Sequence, residues 1–212
     1  TDSRNIMPEQ LFVAIKGEHF DGNQYALDAL EKGAAAVLIS DQIIKVEPAV
    51  LVADTRVALG ELAHYWRNQF ACPLVAVTGS NGKTTVKEMI AAIMTAAKAN
   101  VLATKGNLNN DIGMPLTLLS MREQHTCAVI EMGMNHLGEI SYLSKIASPQ
   151  VAVINNAGTA HIGELGSRQA IAQAKGEVFD GLGQDGIAVI NANDAYAAYW
   201  ESLNSNRKII TF

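Results

Sequence analysis

Residues 78 to 85 read Thr78-Gly79-Ser80-Asn81-Gly82-Lys83-Thr84-Thr85. An apolar run, Leu74-Val75-Ala76-Val77, precedes them, and Val86, Met89, Ile90, Ile93, Met94 and Ala97 follow at helical spacing. Strand, glycine turn, Lys-Thr and helix together make a phosphate site. Gly79 and Gly82 let the backbone curl so that N–H groups turn inward, and the helix start adds partial positive charge. Lys83 places a full positive charge near the outer phosphates, and the Thr84 hydroxyl can hold magnesium. The full pattern has a glycine six residues before the lysine, where Val77 stands, so this is the shorter G-x-x-G-K-T-T form. A glycine turn before an ordinary helix is the simpler alternative, but it leaves the Lys-Thr pair unexplained.

Other residues with chemical capacity lie after apolar runs. Glu131 ends the run Ala128-Val129-Ile130, and a carboxylate there suits a hard cation. His161 comes after Val151 to Ile154 and the loop Asn155-Asn156-Ala157-Gly158-Thr159-Ala160. Imidazole is not magnesium's preferred ligand, so bare sequence leaves a structural role open for it. Asn107, Asn109 and Asn110 form a polar cluster before a helix containing Pro115, and they fit turn and cap positions equally well. Ser3, Arg4 and Lys16 are candidates for binding a phosphorylated substrate, since Arg suits a diphosphate, with ordinary surface pairing as the alternative.

The elements that must position these residues alternate strand and helix. Leu11 to Ile15, Ala34 to Ile39 and Val50 to Ala53 read as strands. Tyr25 to Lys32 reads as a helix stopped by Gly33. A helix after Asp54 or Thr55 carries Leu59, Leu62, Ala63 and Trp66 on one face. Cys72-Pro73 marks a boundary, because proline disfavours helix at the residue before it. Beyond Leu74, strands at Cys127 to Glu131, Val151 to Ile154, Ile187 to Ile190 and Lys208 to Thr211 alternate with helices near 112–120, 137–147 and 168–181. The fold class is therefore α/β: a small N-terminal α/β domain over 1–73, then a mainly parallel-sheet P-loop domain over 74–212. Ligands of such sheets collect at the carboxyl ends of the strands, where the residues above fall.

Composition narrows the partners. The 212 residues are 49% hydrophobic and 17% charged, which suits a folded chain with a sizeable core. A formal net charge of -5 offers no surplus against a nucleic-acid backbone, so no nucleic acid is expected. No apolar run approaches the length of a membrane helix, so no membrane insertion is expected. Cys72 and Cys127 match no metal spacing and read as reduced thiols, which with the lack of a signal peptide predicts a cytoplasmic protein; a monomer is expected, although no residue pattern fixes the oligomeric state. The chain opens at Thr1 without Met and stops at Phe212 directly after a strand, so both ends read as cut.

The glycine loop resembles the ATP loop of the Mur ligases and folylpolyglutamate synthases, which join a carboxylate to an amine at the expense of ATP. Leu11-Phe12-Val13-Ala14-Ile15-Lys16-Gly17-Glu18 followed by Phe20-Asp21-Gly22 resembles the nucleotide-sugar domain of the Mur ligases. The run from Gly106 to Thr117, together with Glu131-Met132-Gly133-Met134-Asn135-His136 and Ala174-Lys175-Gly176-Glu177, is similar to the branch of that family acting on D-alanyl-D-alanine. The resemblance implies three domains, of which this chain holds most of the first and part of the second. The substrates it implies are UDP-N-acetylmuramoyl-tripeptide and D-alanyl-D-alanine, joined through an acyl phosphate with ATP and Mg2+ in building the cell wall.

The same resemblance implies roles. Thr84, Glu131 and His161 would hold magnesium, and Lys175 would do so as a carbamate formed with carbon dioxide. Lys83, Lys175 and His161 would serve the chemistry. Asn107, Asn109 and Asn110 would bridge substrate peptide and phosphate, and Ser3, Arg4 and Lys16 would take the UDP group. Without the third domain the chain is expected to show little ligase activity alone. The alternatives are another amide ligase of the same superfamily and a nucleotide-binding fragment without turnover.

Overall fold

Apolar runs of three to five residues, most of them followed by a helix, build two parallel sheets in a computed structural model that describes residues 1–160 and 162–212. The strands are β1 (Leu11–Val13), β2 (Ala36–Ile39), β3 (Ala49–Leu51), β4 (Leu74–Thr78), β5 (Val101–Ala103), β6 (Cys127–Glu131), β7 (Val151–Ile154), β8 (Ile187–Ile190) and β9 (Lys208–Thr211). The helices are α1 (Ala26–Glu31), α2 (Thr55–Arg67), α3 (Lys83–Ala96), α4 (Gly113–Leu119), α5 (Glu139–Ala147), α6 (Ile162–Leu165), α7 (Arg168–Gly176) and α8 (Ala197–Ser202). Contacts divide the chain into Thr1–Glu61 and Leu62–Phe212, so the division falls inside α2.

In the first unit β1, β2 and β3 pair in parallel, with Phe12 opposite Val37 and Leu38 opposite Val50. Phe12, Ala14, Val37 and Ile39 bury one face against Ala26 and Ala29 of α1. The expected helix from Tyr25 begins as a 3-10 turn at Gly22–Tyr25, because the Asp21 carboxylate accepts from Asn23 N at 2.9 Å and fixes the entry. Gly33, at φ 101, ends the segment in the left-handed region that glycine tolerates.

The second unit holds six parallel strands in the order β5-β6-β4-β7-β8-β9. Side chains alternate across β4 and β6, and both faces are covered. Val75, Val77, Cys127 and Val129 pack under Val86, Ile90 and Met94 of α3. Leu74, Ala76, Ala128 and Ile130 face the other layer, with Met114, Leu118, Ile140, Leu143 and Ile171. Burial on both faces is what near-continuous apolar strands require. The apolar stripe of α3 is narrower than its sequence suggests: Met89 and Ile93 are exposed, while Lys87 is buried. Leu62 on α2 is likewise more exposed than its neighbours Leu59 and Ala63. The expected helix over 168–181 is α7 followed by a 3-10 segment, Glu177–Gly181.

Chain order places the switch point at β4. The chain leaves β4 toward β6 and β5 on one side, then crosses to β7 on the other. The crevice outside the carboxyl ends of strands flanking such a reversal is where ligands bind in open parallel sheets.

Candidate active site

Three segments meet at that crevice: the glycine loop after β4, the acid at the end of β6 and the asparagine loop after β7. Thr78 Oγ1 donates to Met132 O at 2.9 Å and ties the ends of β4 and β6 together. Val77 pairs in register with Glu131, so the carboxylate emerges beside the start of the glycine loop.

The loop is built largely by its neighbour. Ser80 N donates to Asn156 O at 2.9 Å and Asn81 N to Asn156 Oδ1 at 3.0 Å. Asn155 Nδ2 and Asn156 Nδ2 both donate to Asn81 O, at 2.7 and 3.1 Å. Two loop N–H groups therefore shape the loop, which leaves the first turn of α3 to present its donors. A helix cannot satisfy those N–H groups itself, and they carry the positive end of its dipole. Gly82 caps α3 at φ 74, a left-handed conformation that favours glycine, and a Cβ there would lie 2.8 Å from Asn155 Nδ2, so the Asn155 amide would have to shift.

The asparagine loop is braced in turn from the far side. Asn191 Nδ2 donates to Asn155 O at 2.9 Å, and Ala157 N donates to Asp194 Oδ2 at 2.9 Å. Arg168 Nη2 donates to Ala157 O at 3.0 Å, and its guanidinium lies over the Tyr196 ring at 5.9 Å.

Glu131 is 2% exposed and fully partnered. Thr84 Oγ1 donates to Oε2 at 2.9 Å, Asn109 Nδ2 donates to Oε1 at 2.8 Å, and the Glu131 backbone N–H donates to Thr104 Oγ1 at 2.9 Å. Asn109 O accepts from Gly133 N at 2.9 Å, and a Cβ on Gly133 would come 3.0 Å from Asn109 Oδ1. Ser80 to Thr85, Gly106, Asn107, Asn109 and Glu131 line one open cleft of about 460 Å³. Asn110 turns away from this work, since its Oδ1 accepts from Gly113 N at 2.8 Å at the start of α4. Pro115 lies in the first turn of that helix, where its missing N–H costs nothing.

Two lysines set the electrostatics. Lys83 Nζ donates to Gly79 O at 2.9 Å. Burial lowers the Lys83 pKa, and the Glu131 carboxylate opposes that shift. Lys175, in the last turn of α7, is 0% exposed, and its Nζ has no hydrogen-bond partner. Burial pushes its pKa down to about 7, and the charge of Lys83 pushes the same way, which places the two lysines within electrostatic reach. α8 packs on this end of α7 through Trp200, whose Nε1 donates to Ala172 O at 2.9 Å.

The sequence-predicted residues thus fall into three groups. Ser80 to Thr85, Asn107, Asn109 and Glu131 gather at one cleft, Gly79 leads into it, and Lys175 lies within reach of the Lys83 charge. Ser3, Arg4 and Lys16 belong to the first unit, where Arg4 forks onto Asp2 at 2.9 and 2.8 Å and Lys16 lies 3.9 Å from Asp21. His161 lies outside the described residues. Thr104, Asn155, Asn156, Asn191 and Asp194 support the site, and only the polar loop after a strand hints at the asparagines in sequence. Among the described residues, no group of three or more His, Cys, Asp or Glu could hold a metal unaided. Nor is any helix among them long and apolar enough to cross a membrane.

A parallel α/β sheet with a glycine loop and Lys-Thr at its switch point defines a P-loop nucleotide-binding protein. The family model for the Mur ligase middle domain matches residues 77–212, and that for the Mur ligase family catalytic domain matches residues 1–67. The chain belongs to the Mur ligase family. The UDP-N-acetylmuramoyl-tripeptide--D-alanyl-D-alanine ligase of Escherichia coli (strain K12) is 46% identical over 212 residues, which are 100% of this chain and 47% of that protein. A crystal structure of MurF from Acinetobacter baumannii superposes with a TM-score of 0.96 at 42% identity, covering 100% of this chain and 47% of the other. MurF ligase from Thermotoga maritima, in complex with ADP, gives a TM-score of 0.91 at 33% identity, covering 100% of this chain and 49% of the other. The chain spans about half the length of the curated relatives it matches.

Proposed function

We propose that this chain forms the nucleotide-binding part of a cytoplasmic, ATP-dependent ligase that adds D-alanyl-D-alanine to UDP-N-acetylmuramoyl-tripeptide in peptidoglycan synthesis. The observation that carries the reading is the grip on Glu131, with Thr84 on one carboxylate oxygen and Asn109 on the other. It joins the glycine loop to the asparagine segment whose resemblance argues for this branch of the family.

In this reading the first turn of α3 and Lys83 hold the triphosphate. Thr84 Oγ1 and Glu131 fit magnesium, because both offer hard oxygen donors beside that turn, and a protein supplying so few ligands leaves room for water and phosphate. An ion held there would neutralise phosphate charge, which suits transfer of the γ-phosphoryl group to the tripeptide carboxylate. The amine of the dipeptide then attacks the acyl phosphate, and phosphate leaves.

Lys175 fits a carbamate. Carbamate formation needs a neutral amine, and a buried Nζ without a partner, with its pKa near 7, supplies one. Lys83 acts twice here: its charge helps strip the proton from Lys175, then attracts the anion formed. His161 is proposed to assist a second metal position. Asn107 and Asn109, at the cleft, would meet the substrate peptide, with Asn110 shaping their turn. Ser3, Arg4 and Lys16 would take the UDP group, with 1–73 as the substrate domain and 74–212 as the ATP-binding domain.

The test is a substrate panel with phosphate release, using the full-length protein that carries this chain. Only a UDP-tripeptide paired with D-alanyl-D-alanine should turn over. Turnover with a free amino acid or a folate instead would refute the assignment.

A further inference from the structure

We propose that Lys87 is a positioning residue for Glu131, acting through Thr104; this rests on the reading of the glycine loop as a site for ATP and a divalent ion. Lys87 is 1% exposed on α3, three residues beyond Thr84 and so on the same side of the helix. Its Nζ donates to Thr104 O at 2.7 Å and pairs with Glu88 Oε1 at 2.5 Å. Thr104 is also 1% exposed. Its Oγ1 accepts the backbone N–H of Glu131 at 2.9 Å, and its own N–H donates to Val129 O at 3.1 Å. The chain then runs straight into Gly106, Asn107 and Asn109 of the cleft wall.

These bonds close a ring. α3 reaches Glu131 directly through Thr84 and indirectly through Lys87 and Thr104. Three grips hold the acid: Thr84 on Oε2, Asn109 on Oε1 and Thr104 on the backbone N–H. Packing alone does not call for a lysine here, since Ile90 and Met94 fill the neighbouring helix–sheet contacts with apolar side chains. A buried lysine is costly unless paired and hydrogen-bonded. What Nζ adds over a methionine is the hold on the Thr104 carbonyl, which would otherwise be buried without its partner. The glycine loop is braced separately, by Asn155 and Asn156. Loss of Lys87 should therefore disturb the metal position more than the phosphate cradle.

The experiment measures binding of a fluorescent ATP analogue to the full-length protein that carries this chain, with and without Mn2+, for wild type, Lys87→Met and Thr104→Val. Each variant should keep metal-free affinity within about two-fold and lose about ten-fold of the gain that Mn2+ confers, the size of one charge-assisted hydrogen bond. A Lys87→Met protein with lowered thermal stability but an undiminished Mn2+ gain would make Lys87 merely structural and overturn the proposal. Should Lys87→Met not fold, Thr104→Val decides. It keeps the lysine's carbonyl partner and removes only the acceptor of the Glu131 N–H, so an unchanged Mn2+ gain there overturns the proposal equally. A full-length wild type that folds but binds no nucleotide refutes the ATP-site reading, and this inference with it, before any variant is compared.

Discussion

Asn109 Nδ2 donates to Glu131 Oε1 at 2.8 Å, which ties the segment after β5 to the acid that closes β6. The opposite oxygen is held by Thr84 of the first turn of α3. One carboxylate therefore links three segments far apart in the chain, and its loss should be felt in chemistry more than in folding. In the full-length protein, Glu131→Gln keeps a hydrogen-bonding oxygen and removes the charge. Turnover should fall on the order of 100-fold, the scale for removing one preorganised electrostatic partner. Phosphate release and a thermal melt, measured together, check this; near-normal turnover would take Glu131 out of the metal site.

Gly82→Ala tests the curl of the loop. The residue sits at φ 74, and the new Cβ would crowd Asn155 Nδ2 at 2.8 Å. The backbone term alone should cost about 1–2 kcal/mol. Denaturant titration should show that loss, with weakened ATP binding beside it. A variant of unchanged stability and affinity would mean that the loop relaxes freely.

The asparagine loop gives a milder test. Asn156→Ala spares the bond from Ser80 N, which goes to backbone, but removes the acceptor of Asn81 N and one of two donors to Asn81 O. ATP affinity should drop by roughly five- to ten-fold, in line with one or two net hydrogen bonds of about 1 kcal/mol. Calorimetric titration reads this directly, and an unchanged affinity would show the bracing to be dispensable.

Much of this site was legible in sequence because its chemistry is local. Strand β4, Gly79, Gly82, Lys83 and Thr84 lie within eleven residues, so their spacing carries the signal. Glu131 was readable from its place at a strand end. β5 was not expected from sequence, and its position at the sheet edge comes only from pairing with β6. α8 has no such signal in sequence either, since what fixes it is a tertiary contact, Trp200 against α7. Lys87 was hidden by its type, since a lysine in a helix reads as solvated until the fold shows Thr104 O beneath it. The bracing by Asn191 and Asp194 depends on β8 lying beside β7, which residue spacing does not reveal.

Lys175 should make stability depend on pH in a definite direction. Its pKa is about 7 in the folded chain against an ordinary value of 10.5, so between these limits the unfolded chain binds more protons and stability rises with pH. The contribution is fully present above the unfolded value and is lost as pH falls through 7. Below pH 7 a charged amine stays buried without a partner, at a cost on the order of a few kcal/mol. Lys175→Met should therefore be more stable than wild type near pH 6, with a flatter profile between pH 7 and 9, in denaturant titrations of both proteins in buffer free of carbon dioxide. Parallel profiles would mean that Nζ finds solvent or a partner in the folded chain. Bicarbonate should then stabilise wild type and leave Lys175→Met unmoved, because a carbamate draws on the neutral amine that only the fold provides. In the full-length protein, Lys175→Ala should lose acyl-phosphate formation and recover part of it with a small added carboxylate. Full activity without that addition would remove the carbamate from the mechanism.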